Sequence, residues 1–399
     1  MNVSPEQVFS DVLNSKNEIR LNAEQIINSQ KSKRFDEALD FFLVGIKSTD
    51  DKISQLAALL FKKTFLDDSE FLKNIDKNLA ENLLNNVFYP LVDVNKNWKF
   101  LERIAENIAK LYLIVDLHKS FGHIVTLFGN ENNIIRRFSI LILELIIDLD
   151  VINEEMVNSS INEFKNLLQN GLQDTDARVQ ILTLKSATTL LTKIKNENLV
   201  LEFSDLTKLI INSLIYCLKN DEDGTTAKSC METLNSLTTL HPKLWKNNLD
   251  NFLSVICEII QSERFDKVLK QSTFQIVLSF SGSTPAYLRK CEFFKKNLIE
   301  ILICMLNDVD NIDSIEDWTT YTDDNDNDFN DLHFAAREGL ELFALDLGAK
   351  FFLDLINPYL TKLLGSNNWI DLHSGFTAIA WLAEPCKKQF KSILSNLLK

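Results

Sequence analysis

The sequence predicts an all-α protein, a right-handed α-solenoid of about nine helix pairs with an acidic loop inserted near 308–331. Three observations carry that reading. Apolar residues recur every three or four positions almost end to end, the spacing of helices with one buried face. Gly (10) and Pro (6) are scarce in 399 residues, which argues against sandwiches and Rossmann-type folds, whose turns need them. Short Asp/Asn-rich turns punctuate the chain at Asp50–Asp51, Asn95–Asn97, Asn130–Asn133, Asp174–Asp176, Asp221–Asp223, Glu263–Asp266 and Gly365–Asn368. Outside one long gap, successive turns lie roughly 35–47 residues apart, close to the period of HEAT-type helix pairs.

The elements follow in order. The opening MNVSPEQVFSDVLNSKNEIR is too polar for a secretion signal. After Asp50–Asp51, the helix DKISQLAALLFKK carries Ala57 and Ala58, small residues that let a neighbour approach closely. In NWKFLERIAENIAKLYL, Ile104, Ile108 and Leu111 form one stripe with Ala105 and Ala109 beside it. NNIIRRFSILILELIIDL has a wider apolar face, as expected for a helix packed on two neighbours. In TDARVQILTLKSATTLLTKI the stripe is Leu184, Ala187, Leu191 and Ile194. Pro90, Pro242, Pro285 and Pro385 fall at expected helix boundaries, and Pro358 either does the same or kinks a helix.

The long gap, from about 264 to 366, holds the acidic run and a further repeat starting near 332. The expected organisation is 1–307 as N-terminal repeats, 308–331 as the acidic loop and 332–399 as further repeats. GFTAIAWLAEPCKKQFKSILSNLLK ends part-way into another apolar-periodic helix with no polar cap, so the array is expected to be the N-terminal portion of a longer one.

Charge limits the partners. The net charge is −14, and the run DVDNIDSIEDWTTYTDDNDNDFND holds ten carboxylates with no Lys or Arg. Phosphate backbones need a basic surface, so nucleic acid is excluded as a direct partner and a basic protein is favoured. The longest apolar runs are too short to span a bilayer. Six cysteines, at 217, 230, 257, 291, 304 and 386, lie far apart on apolar faces with no CxxC, and read as buried free thiols.

The acidic run fits no EF-hand register. From Asp324, positions six and twelve are Phe329 and Ala335; from Asp326, they are Asp331 and Arg337. A calcium loop needs Gly and Glu there. The histidines at 118, 123, 241, 333 and 373 are scattered, and HExxH, GxSxG and GxxxxGK[ST] are absent. The sequence therefore presents no catalytic residues, no metal site and no cofactor site. A solvated linker is the plain alternative for the acidic run. Against it, Trp318 and Phe329 are large aromatics that a spacer does not need.

Three stretches resemble the importin-β (karyopherin) family of nuclear transport receptors, most closely its importin-five-type branch. NEIRLNAEQII with DDKISQLAALLFKK is similar to the family's first helix pairs, through Arg20, Ala23, Glu24, Ala57 and Ala58. IEDWTTYTDDNDNDFND resembles the branch's acidic loop, tryptophan included. AAREGLELFALDLGAKFF and LGSNNWIDLHSGFTAIAWLAEPC resemble the two repeats that follow that loop. The resemblance implies a nuclear import receptor that binds basic cargo signals (ribosomal proteins or histones among the options), Ran GTPase in its GTP form and Phe-Gly nucleoporin motifs. It implies shuttling between cytoplasm and nucleus, no chemistry, no nucleic acid and no membrane insertion. The partner-binding residues it implies are Asp310, Asp313, Glu316, Asp317, Trp318, Asp323, Asp324, Asp326, Asp328 and Asp331 in the loop, with Glu341 and Glu384 on inner helices. The branch carries a basic residue where Leu342 stands, Gly where Ala349 and Pro385 stand, and different residues around His373–Gly375. Two other readings stay open from the residues alone: a HEAT scaffold subunit of a multiprotein complex, and an acidic chaperone of basic proteins.

Overall fold

The computed structural model describes residues 4–30, 33–67, 72–115, 117–220, 225–308 and 332–391. These are helical throughout, with no strand among them, and form nine antiparallel helix pairs, an all-α solenoid. Two compact units divide the chain, Met1–Leu190 and Leu191–Lys399.

The first unit pairs α1 (Pro5–Val12) with α2 (Asn17–Gln30) and α3 (Phe35–Ile46) with α4 (Asp51–Phe61). It continues with α5 (Lys77–Leu83) and α6 (Trp98–Leu111), then α7 (Leu117–Phe128) and α8 (Asn133–Asp148). A short α9 (Glu154–Ser159) leads into α10 (Ile161–Leu172), which pairs with α11 (Ala177–Lys193). In the second unit, after α12 (Glu197–Leu201), the pairs are α13 (Thr207–Asn220) with α14 (Thr225–Leu240) and α15 (Leu249–Gln261) with α16 (Lys267–Ser283). Following α17 (Pro285–Leu288), α18 (Ile299–Leu306) pairs with α19 (Leu332–Leu347), and α20 (Ala349–Leu364) with α21 (Trp369–Ala383).

The Asx residues of the sequence turns act as N-caps. Asp50 accepts the N–H groups of Lys52 and Ile53, Asn97 that of Lys99, Asn132 that of Ile134, Asp266 that of Leu269 and Asn368 that of Ile370. A short polar side chain satisfies a helix's first free donors, so these residues end one helix and start the next. The Asp221–Asp223 turn lies outside the described residues.

Second helices of successive pairs pack on one another within each unit, α4 on α6 and α6 on α8, then α14 on α16, α16 on α19 and α19 on α21. The predicted stripes face these contacts: Ile104, Ala105, Ile108, Ala109, Leu184, Ala187 and Leu191 are all buried. An aromatic chain of Phe42, Phe65, Phe61 and Phe88, with centroids 5.4, 4.9 and 5.6 Å apart, fills the start of the first unit. Between pairs, Arg136 of α8 reaches the turn before α11, with its Nε 2.6 Å and its Nη2 2.9 Å from the two Asp174 carboxylate oxygens. Its Nη1 donates to the carbonyls of Asn130 (3.1 Å) and Glu131 (2.7 Å), so one guanidinium ties a turn to the next.

Two expectations change, and one open alternative is decided. The helix at Leu332 does not open a new repeat: it packs as partner to α18, so the acidic run joins the two helices of a single pair. Of the two readings of Pro358, the interior position holds: it lies inside α20. Cys304 is exposed, whereas Cys217, Cys230, Cys257, Cys291 and Cys386 are buried free thiols.

Candidate partner-binding face

Of the sequence-predicted site residues, Asp310, Asp313, Glu316, Asp317, Trp318, Asp323, Asp324, Asp326, Asp328 and Asp331 lie outside the described residues. The structure does describe both ends of their segment. The carbonyl of Leu306, at the end of α18, accepts from His333 Nδ1 (2.7 Å, α19) and from Ser374 Oγ (2.9 Å, α21). Asn307 donates to Asp371 (3.3 Å), and Lys267 pairs with Asp308 at 3.1 Å. Three second helices, α16, α19 and α21, thus hold the point at which the acidic run leaves and rejoins the fold.

Close packing allows this. A Cβ on Gly339 would lie 2.8 Å from the Phe274 ring, so only glycine lets α19 sit this near α16. Gly348, with φ +90°, makes the tight turn from α19 into α20. Asp346 accepts from Ser281 (2.8 Å) and fixes the far end of α19.

Across the α19–α21 contact the His333 and His373 rings stack, centroids 5.3 Å apart. Burial lowers both imidazole pKa values, and Arg337 lowers them further, while His373 also feels His333. The net shift favours the neutral form of both rings, although the bond to the Leu306 carbonyl opposes it at His333. One turn on, the Arg337 guanidinium lies 5.4 Å from the Phe334 ring and 5.9 Å from the Trp381 ring. Beyond this cation the surface turns acidic and apolar. Glu338 and Glu341 are half-buried on α19, and Leu345 is 59% exposed. Phe376, on α21, is 63% exposed. Glu384, just past α21, is exposed and lies 3.8 Å from Lys387, a surface pair worth about 0–1 kcal/mol. Glu341, on α19, and Glu384, just past α21, therefore stand on neighbouring elements.

The charge is not spread evenly along the second helices. Helices α19 and α21 carry Glu338, Glu341, Asp346 and Asp371 against Arg337 alone. In the first unit, α8 and the part of α11 up to Leu190 carry Arg136, Arg137, Arg178 and Lys185 against Glu144 and Asp148. There Arg137 stacks on Trp98 at 3.6 Å, and Lys185 meets buried Glu144 at 2.5 Å. Among the described second helices, α19 and α21 thus carry net negative charge, while α8 and the first-unit part of α11 carry net positive charge. Net charge hid this because the chain's cations gather on particular helices.

First helices leave clefts between them. One, of about 510 Å³, lies between α20 and the helical turn 387–391, with Leu353, Leu360, Leu364, Ile379 and Phe390 as its apolar lining. A smaller one, of about 180 Å³, lies between α13 and α15, with Ile215, Val255, Ile259 and Phe265 inside and Lys219, Glu258 and Arg264 among its lining residues.

Residues 120–255 match the family described as "IPO5-like, TPR repeats", and residues 262–354 match the one described as "Importin repeat". The chain belongs to the importin-β family. A relative over its whole length is the "Probable importin-5 homolog" of Dictyostelium discoideum, 21% identical over 412 residues. "Importin subunit beta-3" of Saccharomyces cerevisiae (strain ATCC 204508 / S288c) is 23% identical over 57% of this importin-family chain and 21% of the relative. The crystal structure of Kap121p superposes with a TM-score of 0.76 at 19% identity, covering 98% of this chain and 37% of Kap121p. Kap121p has also been crystallised bound to Nup53p, to Pho4p and to RanGTP. The chain spans 38% of the length of the Dictyostelium relative.

Proposed function

We propose that this importin-family chain carries the cargo-binding face of a nuclear import receptor that shuttles between cytoplasm and nucleus. A lysine- or arginine-rich cargo signal lies across α19 and α21. Glu341 and Glu384 pair with its cations, Phe376 and Leu345 cover its apolar side chains, and the carboxylates of 310–331 add long-range attraction. The observation that carries this reading is the acidic, partly apolar face of α19 and α21 beside the roots of the acidic run. Individually weak ion pairs suit reversible capture, since several must act together, and clustered charge speeds encounter. Ran in its GTP form competes with cargo, and the clefts between first helices receive Phe-Gly motifs of nucleoporins. No bond is made or broken in this cycle.

The test is fluorescence anisotropy of a labelled basic peptide at fixed ionic strength. Reversing the half-buried Glu341 and the exposed Glu384, in E341K/E384K, is expected to weaken binding by roughly tenfold, from about 1 kcal/mol or less per pair lost plus comparable repulsion. Ran loaded with GTP should release the peptide, and Ran loaded with GDP should not. Unchanged affinity in E341K/E384K, combined with complete loss on deleting 309–331, would replace the receptor by an acidic chaperone. Indifference to both forms of Ran would favour a scaffold.

A further inference from the structure

We infer that a second, cationic site lies in the second unit, and that it binds a phosphoryl group. The site is a cavity of about 420 Å³ lined by Lys246, Asn247, Asn251, Tyr287 and Lys290, with Asp250 and Cys291 at its wall. It forms where two successive connections between pairs meet, the one preceding α15 and the one following α17.

Three features make it a binding site rather than a surface dent. First, Lys246 and Lys290 line one cavity, both exposed, and among the described residues neither ammonium forms an ion pair with a carboxylate. Their neighbours differ, since Lys243 is held by Glu197 at 2.9 Å and Lys295 by Glu292 at 2.7 Å. In a chain with net charge −14, two uncommitted ammonium groups converging on one space are a local inversion. Second, Lys246 Nζ stands 5.7 Å from the centre of the Tyr287 ring, so the aromatic face positions the ammonium without neutralising it. Third, the one acid at the wall is already engaged: the Cys291 thiol donates to Asp250 Oδ1 at 2.8 Å.

The first residues of α15 line the same cavity, and Asn248 does not cap them. Its amide donates instead to Thr207 Oγ1 at 2.7 Å. Asn247 and Asn251 add amide donors. Two ammonium groups, side-chain amides and a phenol match the three acceptor oxygens and double charge of a phosphate monoester. That group reaches the cavity as free phosphate or on a phosphorylated side chain of a partner.

The experiment titrates the whole chain with inorganic phosphate, followed by phosphorus NMR, and with a phosphoserine peptide and its unphosphorylated twin, followed by calorimetry. Sodium chloride at matched ionic strength is the control. Phosphate and the phosphopeptide are expected to bind and the unphosphorylated peptide not to. Lys246→Gln and Lys290→Gln should each weaken binding by about fivefold, as for an exposed ion pair at the upper end of its range. Asp250→Asn should tighten it by removing the repelling charge. A phosphopeptide that binds better than phosphate identifies a partner's side chain as the source, and equal affinities identify the free ion. Phosphate that binds no better than chloride, or binding unaltered in the double lysine variant, overturns the site. Because both lysines are exposed, circular dichroism should show the variants folded, and the cargo peptide assay should be unaffected.

Discussion

Replacing Arg136 by alanine tests how the first unit is held together. The guanidinium makes two bonds to Asp174 and two to backbone carbonyls of the preceding turn. Asp174 is almost fully buried. Burial pushes its carboxyl up, but the Arg136 hydrogen bond and the N–H groups of Asp176 and Thr175 outweigh this and hold it below the usual range. Removing one member of a buried pair costs about 3–5 kcal/mol. Here the Arg136 side chain is 16% exposed and Asp174 keeps the Asp176 N–H at 2.9 Å, so water and backbone relieve part of the loss. The expected cost is about 2–3 kcal/mol. Repeats open locally, so a global melt would understate the effect. Hydrogen exchange reads it directly: amides of α8 and α11 should exchange about 30- to 150-fold faster while the second unit is unchanged. The sign with pH follows from the lowered Asp174 value. Its contribution is complete above the unfolded carboxylate range and disappears as pH falls through the folded value, so the R136A deficit should shrink in acid. Replacing both partners by apolar residues should recover much of the loss. Protection within about twofold of wild type in R136A would refute the reasoning, because surface changes alone fall in that range.

Gly339→Ala should cost about 1–3 kcal/mol by forcing a methyl against the Phe274 ring, and Phe274→Leu in the same chain should restore part of the melting temperature. The lowered His333 and His373 values mean that their contribution is fully present above the unfolded histidine value of 6.5 and is lost as pH falls below it. Protection factors in α19 and α21, taken relative to the intrinsic exchange rate at each pH, should therefore fall between neutral and mildly acidic pH, and His373→Gln should flatten that dependence. Iodoacetamide labelling followed by mass spectrometry should modify exposed Cys304 first. Cys257 and Cys291, whose thiols burial pushes up to about 12, should react only on unfolding.

Much of this architecture is legible in the sequence because its signals are local. An Asx cap and an apolar stripe each occupy one turn or one helix face, so Asp50, Asn97 and Ile104–Ile108 announce their roles without reference to distant residues. Contacts between repeats are not local. The Arg136–Asp174 tie spans 38 positions and looks like two ordinary surface charges until the turns are stacked. The pairing of α18 with α19 was obscured because the acidic run stretches the turn past any spacing rule. Glu341 and Glu384 came from a resemblance. The cation between Phe334 and Trp381, the histidine stack and exposed Phe376 depend on how two helices rotate against each other, which hydrophobic periodicity does not specify. The lysine cavity was invisible for the opposite reason, since a net charge of −14 directs attention only to acids.

The carbonyl of Leu306 has a consequence for how this protein changes over generations. A main-chain oxygen has no codon of its own, so no substitution at position 306 short of deforming the helix deletes it. Side-chain change can therefore loosen this bond only through its two donors, His333 and Ser374, while the acidic stretch beyond Asp308 can drift in composition and length and leave it in place. A lineage could retune what it attracts there and keep the same skeleton.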